Sequence, residues 1–307
     1  MKRATSSSIN GSSAGDGGRP LTVLGVDYHH AKQDDGGDLY LTRYGLAFRE
    51  CLRPENWFDP AWFRSKRQRL LGTSTICKMP TKPVDGRSLD LVVRYSRMGE
   101  RVPVDTDTLC RNVNSEFNSP FEEVSLVMEL RAGRFGPPAL RIHTKKPLAI
   151  YVPAERLALW QTGRSEDKFA ARQARHPDFR LDLERQYIVI YGWIDGHDAE
   201  QMADLQGMTG GERSAFLEAI TRRAELELDL KGFRVVDMKP AHVILRRRPG
   251  GGFLRWRDGR LAYAVVDYEL LERTAAHEAW RSRAAESSYA VPSSVPSLSA
   301  GALSPKS

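Results

Sequence analysis

Cysteine is scarce in this chain: 307 residues include three, Cys51, Cys77 and Cys110, far apart and in no CxxC pair. That spacing excludes a disulfide framework and a zinc ribbon, suits a reducing compartment, and leads us to expect buried thiols. Long apolar runs are also missing. No stretch approaches the roughly 18 apolar residues of a membrane span, and the opening MKRATSSSINGSSAGDGGRP lacks the apolar core of a signal peptide. A cytoplasmic protein with no membrane span is therefore expected. Residues 1–20, rich in Ser and Gly, and residues 286–307, rich in Ser and Pro, hold too few apolar groups to offset chain entropy and read as disordered tails. His29-His30 follows Asp27, but adjacent histidines point in different directions and no partner follows at ligand spacing, so no metal is assigned there.

What is present suffices for a folded core. With 41% hydrophobic and 28% charged residues, the chain can fill one large domain or two small lobes. The formal charge of +7 would suit a polyanion binder if it were clustered. It is dispersed instead. The densest group, Arg246-Arg247-Arg248, runs into Pro249-Gly250-Gly251-Gly252 and reads as the solvated turn of a hairpin, so no nucleic-acid partner is expected.

Residues 21–71 carry Tyr40, Tyr44, Trp57, Phe58, Trp62 and Phe63 but no recognisable chemistry. Arg69 to Ile76 and Leu89 to Tyr95 suggest two strands joined by the turn MPTKPVDGRS, the second rich in β-branched residues. FEEVSLVMELRAG follows Asn118-Ser119-Pro120, carries Glu122 and Glu123 in its first turn and ends at Gly133, which predicts a helix. Strands are expected over Leu140–Thr144, Leu148–Val152 and Tyr187–Trp193, the last almost continuously apolar. Thr209 with Glu212 makes a capping-box pattern, and Phe216, Ile220, Ala224 and Leu228 fall on one helical face beyond it.

Two further apolar segments flank the Gly-rich hairpin, and each lies beside an aspartate: Val235-Val236-Asp237-Met238-Lys239-Pro240-Ala241-His242-Val243-Ile244-Leu245 and Leu261 to Glu269, which includes Asp267. Phosphoryl transfer needs one carboxylate to orient an attacking hydroxyl and others to hold Mg²⁺ against phosphates. A loop and a strand end brought together by a hairpin can supply them. Here the chain resembles the protein kinase-like superfamily, whose serine/threonine members carry a catalytic loop Asp-x-Lys-Pro-x-Asn. Asp237-Met238-Lys239-Pro240-Ala241-His242 fits it except in the last place, and His there also resembles the bacterial lipopolysaccharide heptose kinases. Asp267-Tyr268-Glu269 is similar to the metal-binding DFG segment in its first residue.

The resemblance implies ATP and Mg²⁺ as cofactors. It implies Asp237 as catalytic base, Lys239 as the charge that neutralises the transferring phosphate, and Asp267 with His242 at the metal. Leu89 to Tyr95 resembles the strand bearing the ATP-binding lysine, with Arg94 in its place and Glu122 or Glu123 as its partner. Gly72 stands in the phosphate-loop turn with one glycine where the family has three. Tyr187–Trp193 with Asp195-Gly196 looks like the adenine-contacting hinge, which implies Ile190, Tyr191 and Trp193 as nucleotide neighbours. The implied architecture is an α+β, two-lobed protein-kinase-like fold with an N-terminal extension (21–71), an N-lobe and hinge (72–194) and a minimal C-lobe (195–285). The implied activity is transfer of the γ-phosphate to a hydroxyl acceptor, serine/threonine protein kinase-like. A small-molecule, sugar or lipid kinase and a pseudokinase scaffold are the alternatives.

Overall fold

Three runs expected as strands, Leu89–Tyr95, Leu148–Val152 and Tyr187–Trp193, lie in one large antiparallel sheet, whereas the strand expected over Arg69–Ile76 is replaced by Gln68–Arg69 and Ile76–Pro80, the latter taking up the start of the expected turn. The computed structural model describes residues 18–70, 74–103, 109–110, 112, 114–177, 179–248 and 252–289. In chain order, β1 (Arg19–Val23), β2 (Val26–Lys32) and β3 (Asp38–Leu41) form a meander. Helix α1 (Pro60–Lys66) and β4 (Gln68–Arg69) lead to β5 (Ile76–Pro80) and β6 (Asp90–Tyr95). Helix α2 (Pro120–Ala132) precedes β7 (His143–Thr144) and β8 (Pro147–Val152), and α3 (Leu159–Thr162) and α4 (Glu166–Ala174) precede β9 (Ile188–Gly192). The rest comprises β10 (His197–Asp198), α5 (Ala199–Leu205), α6 (Gly210–Leu230), β11 (Phe233–Val235), β12 (Val243–Leu245), β13 (Tyr263–Val265), β14 (Leu271–Arg273) and α7 (Ala275–Tyr289).

The large sheet runs β1-β2-β3-β8-β9-β6-β5-β4, with every neighbouring pair antiparallel. A second sheet runs β10-β12-β13-β7, in which β7 lies parallel to β13, and β11 pairs with β14. The fold is thus mixed α and β around a large antiparallel sheet. Central strand β9 explains its apolar sequence: Ile188 and Ile190 enter the core on one face, Val189 and Tyr191 the core on the other. Helix α2 covers one face through Val124 and Val127. Leu52, Trp57 and Phe63 cover the second. Residues 21–71, for which sequence suggested no chemistry, therefore supply strands of the same sheet and the layer over one face of it.

Helix α2 starts and stops as its sequence dictates. Ser119 and Glu122 form a reciprocal capping box, Pro120 opens the first turn, and Gly133 ends the helix at φ 61°. Along α6, Ile220, Ala224 and Leu228 are buried on the expected face and Phe216 packs at its edge. The Thr209 capping box does not form; its side chain makes no cap hydrogen bond, and Gly210 enters the helix at φ 51°, outside the helical region. The strand expected over Leu140–Thr144 contracts to β7, with Leu140 and Ile142 buried before it. Cys51 and Cys77 are buried thiols, whereas Cys110 is exposed. Helix α7 continues to Tyr289, beyond the tail boundary set at 286. No helix among the described residues is long and apolar enough to cross a membrane.

Candidate active site

The 3-10 turn Pro240–His242 follows β11 and turns the chain back into β12. Val236 N–H donates to the Leu270 carbonyl at 3.1 Å, and Val266 N–H donates to the His242 carbonyl at 3.0 Å. These bonds tie the segment bearing Asp237 to the segment bearing Asp267, which the β12–β13 pairing aligns. The two acidic loops, thirty residues apart in sequence, thereby meet at one cavity of about 440 Å³.

Asp237 is buried, and Lys239 Nζ lies 2.5 Å from its Oδ2. His242 Nε2 stands 3.3 Å from Asp267 Oδ2, while His242 Nδ1 is buried with no hydrogen-bond partner among the described residues. Burial opposes ionisation of Asp267, but His242, Arg94 and Lys145 outweigh it and hold this carboxyl below the usual range. Glu269 behaves oppositely. Burial and the neighbouring Asp267 charge push its carboxyl up, although Ser74 Oγ donates to it at 2.9 Å and Arg94 Nη1 at 2.6 Å.

Arg94 leaves β6 between two carboxylates, Glu269 and Glu123 of α2. Tyr191 Oη donates to the other Glu123 oxygen at 2.5 Å. The partner of Arg94 is thus Glu123. Glu122 caps α2 and pairs with Arg172 at 3.2 Å and His176 at 2.7 Å, because one helical position rotates it about 100° away. Neither glutamate is a freely solvated helix-dipole residue.

Of the side chains singled out from sequence, Arg94, Trp193, Asp237, Lys239, His242 and Asp267 line this cavity. Glu122, Ile190 and Tyr191 do not; strand alternation sends Ile190 and Tyr191 into the two cores. Gly72 lies outside the described residues. Trp193 lines the cavity together with the following Ile194 and Gly196. Gly196 adopts φ 152°, and a Cβ there would come within 2.5 Å of the Leu245 carbonyl, so this wall requires glycine.

Sequence reasoning missed Lys145, which the cavity shows in its lining. Lys145 is buried and the adjacent Lys146 exposed, a difference that the dibasic sequence alone does not signal. Burial pulls the Lys145 ammonium down to about 8 against the opposing pull of Asp267.

Among the described residues no three His, Cys, Asp or Glu side chains converge as a protein-only metal cage. Mg²⁺ does not require one, since it keeps waters and takes phosphate oxygens beside one or two carboxylates. An ionised Asp267 at the cavity wall fits a cation shared with a phosphate ligand. No family model and no curated protein matches the chain. One similar solved structure is described as WaaP in complex with acyl carrier protein. It shares 15% sequence identity over 79% of this chain and 76% of that chain, with a TM-score of 0.36. The functional reading therefore rests on the chain's own residues.

Proposed function

We propose that the chain is a divergent ATP-dependent phosphotransferase of two-lobed, protein-kinase-like architecture. In this reading the large sheet with α2 forms one lobe, and the elements after β9, whose sheet β7 joins, form a second, smaller one. The observation that carries this reading is the meeting of Asp237, Lys239, His242 and Asp267 in one cavity with Arg94, itself ion-paired to Glu123. Positioning and charge stabilisation account for most of phosphoryl-transfer catalysis, and this set supplies both.

In this reading Asp237 orients the acceptor hydroxyl and receives its proton. The hydroxyl oxygen bonds to the γ-phosphorus as the bond from that phosphorus to the β–γ bridging oxygen breaks, and ADP leaves. Lys239, ion-paired to Asp237, neutralises the transferring group in this reading. Asp267, with His242 beside it, would hold Mg²⁺, whose chemistry is to offset phosphate charge. Trp193 and Ile194 offer an apolar wall for the base. The acceptor is a serine or threonine hydroxyl, with a sugar or lipid hydroxyl as the alternative.

A nucleotide-binding module without transfer is the second reading. The capture of Arg94 by two carboxylates favours it, because a guanidinium so held has less charge left for phosphate. Thermal shift with Mg²⁺ and ATP, run beside transfer of γ-phosphate label to the protein or a generic acceptor, separates them. Expected are a Mg²⁺-dependent stabilisation abolished in Asp267→Asn, and binding without transfer in Asp237→Asn, with turnover reduced roughly 10²–10⁴-fold. Binding without transfer in the unmodified chain selects the second reading. No stabilisation at millimolar ATP, or unchanged turnover in both variants, sinks the first.

A further inference from the structure

We infer, on the phosphotransferase reading above, that Lys145 is the cation that meets the phosphates of a bound nucleotide at the floor of the cavity. The resemblance gives that place to Arg94, but the geometry argues otherwise. Arg94 Nη1 is 2.6 Å from Glu269, and its other terminal nitrogen is in contact with Glu123. Arg97 Nη1 also stands 3.8 Å from Glu269, so the buried Glu123 and Glu269 carboxylates face two guanidinium groups, and the cluster as a whole has no net positive charge to offer an anion. Phosphates entering beside Asp267 and Glu269 need a cation from elsewhere.

Lys145 is placed to provide it. Its backbone is fastened to the segment carrying Asp267: Lys145 N–H donates to Tyr268 Oη at 2.7 Å, and β7, which ends one residue earlier, pairs with β13. Arg131 Nη1 donates to the Thr144 carbonyl at 2.7 Å and fixes the same turn from α2. The side chain lines the cavity and is buried. Among the described residues its ammonium has one acceptor, the Val266 carbonyl at 3.5 Å, although an ammonium carries three donors. A buried lysine with no carboxylate in direct contact among the described residues, Asp267 acting on it only at longer range, is costly unless something else engages it. A polyphosphate in this cavity supplies acceptors and charge together.

The experiment compares affinities for ATP and for adenosine, both with Mg²⁺, in the unmodified chain and in Lys145→Met. Methionine of similar length replaces a buried charge with an apolar chain, a change that is often neutral or stabilising for the fold. ATP affinity should fall roughly 10- to 100-fold, the size of a lost charge-assisted hydrogen bond, while adenosine affinity stays within about twofold. Lys145→Gln, which retains two donors, should fall between the two. Equal ATP affinity in Lys145→Met overturns the assignment and leaves the phosphotransferase reading standing. Parallel loss of ATP and adenosine assigns Lys145 to the shape of the cavity and also overturns it. An unmodified chain that binds neither ligand at millimolar concentration removes both readings.

Discussion

At the scale of single residues, the site depends on charges that were brought out of water and then compensated. Arg94, Glu123 and Glu269 are all buried, and each is paired within the group. Removing one member leaves the rest exposed to the full cost of burial, so Arg94→Ala should destabilise the fold by about 3–5 kcal/mol. Urea denaturation checks this. A loss near zero would show that burial of these carboxyls does not depend on the Arg94 charge. Burial pushes the Glu269 carboxyl up, whereas Asp267 is kept ionised by His242, Arg94 and Lys145. Two carboxyls two positions apart with opposite tendencies give the cavity one fixed anion and one suited to hydrogen bonding.

At the scale of elements, α2 links the sheet to the cavity. Its first turn combines the capping box with Glu122 bound to Arg172 and His176. Burial raises the Glu122 carboxyl, but Arg172, His176 and the Ser119 N–H lower it further than burial raises it. The folded value therefore lies below the ordinary 4.5. Stabilisation from this group is complete above that value and is lost as pH falls through the folded one. Glu122→Gln should lower stability at pH 7 and flatten the acid limb of the stability curve below about pH 4.5, read by thermal denaturation across a pH series. An acid limb unchanged by the substitution would assign acid lability elsewhere. Ser119→Ala should cost about 1 kcal/mol through loss of the cap alone.

At the scale of the whole molecule, the large sheet is buried on both faces, and the layer over its second face comes from residues 46–66. Trp57 is fully buried there, with Nε1 donating to the Leu52 carbonyl at 3.0 Å. Trp57→Ala should cost about 3–5 kcal/mol, measured by chemical denaturation, since an aromatic side chain leaves a cavity that packed neighbours refill only in part. A cost below 1 kcal/mol would mean this layer is dispensable to the sheet. Ligand affinity is a second readout: a layer on the face away from α2 should alter it far less than Arg94→Ala does.

Local patterning determined the elements whose signals lie within a few residues. Helix α2 was legible from Ser119, Pro120 and Gly133, β9 from its unbroken apolar run, and the β12–β13 hairpin from two apolar segments about glycines. Asp237 and Asp267 were legible from their places beside that hairpin, whereas Lys239 and His242 were singled out only through the resemblance to the kinase-like catalytic loop. Tertiary structure alone decided which side chains face the cavity. Strand alternation turned Ile190 and Tyr191 into the cores, a 100° step along α2 gave Arg94 to Glu123 rather than Glu122, and parallel pairing of β7 with β13 brought Lys145 into the lining of the site. Contacts between residues more than a hundred positions apart leave no local periodicity to read, because the partner that buries a group is absent from its sequence window.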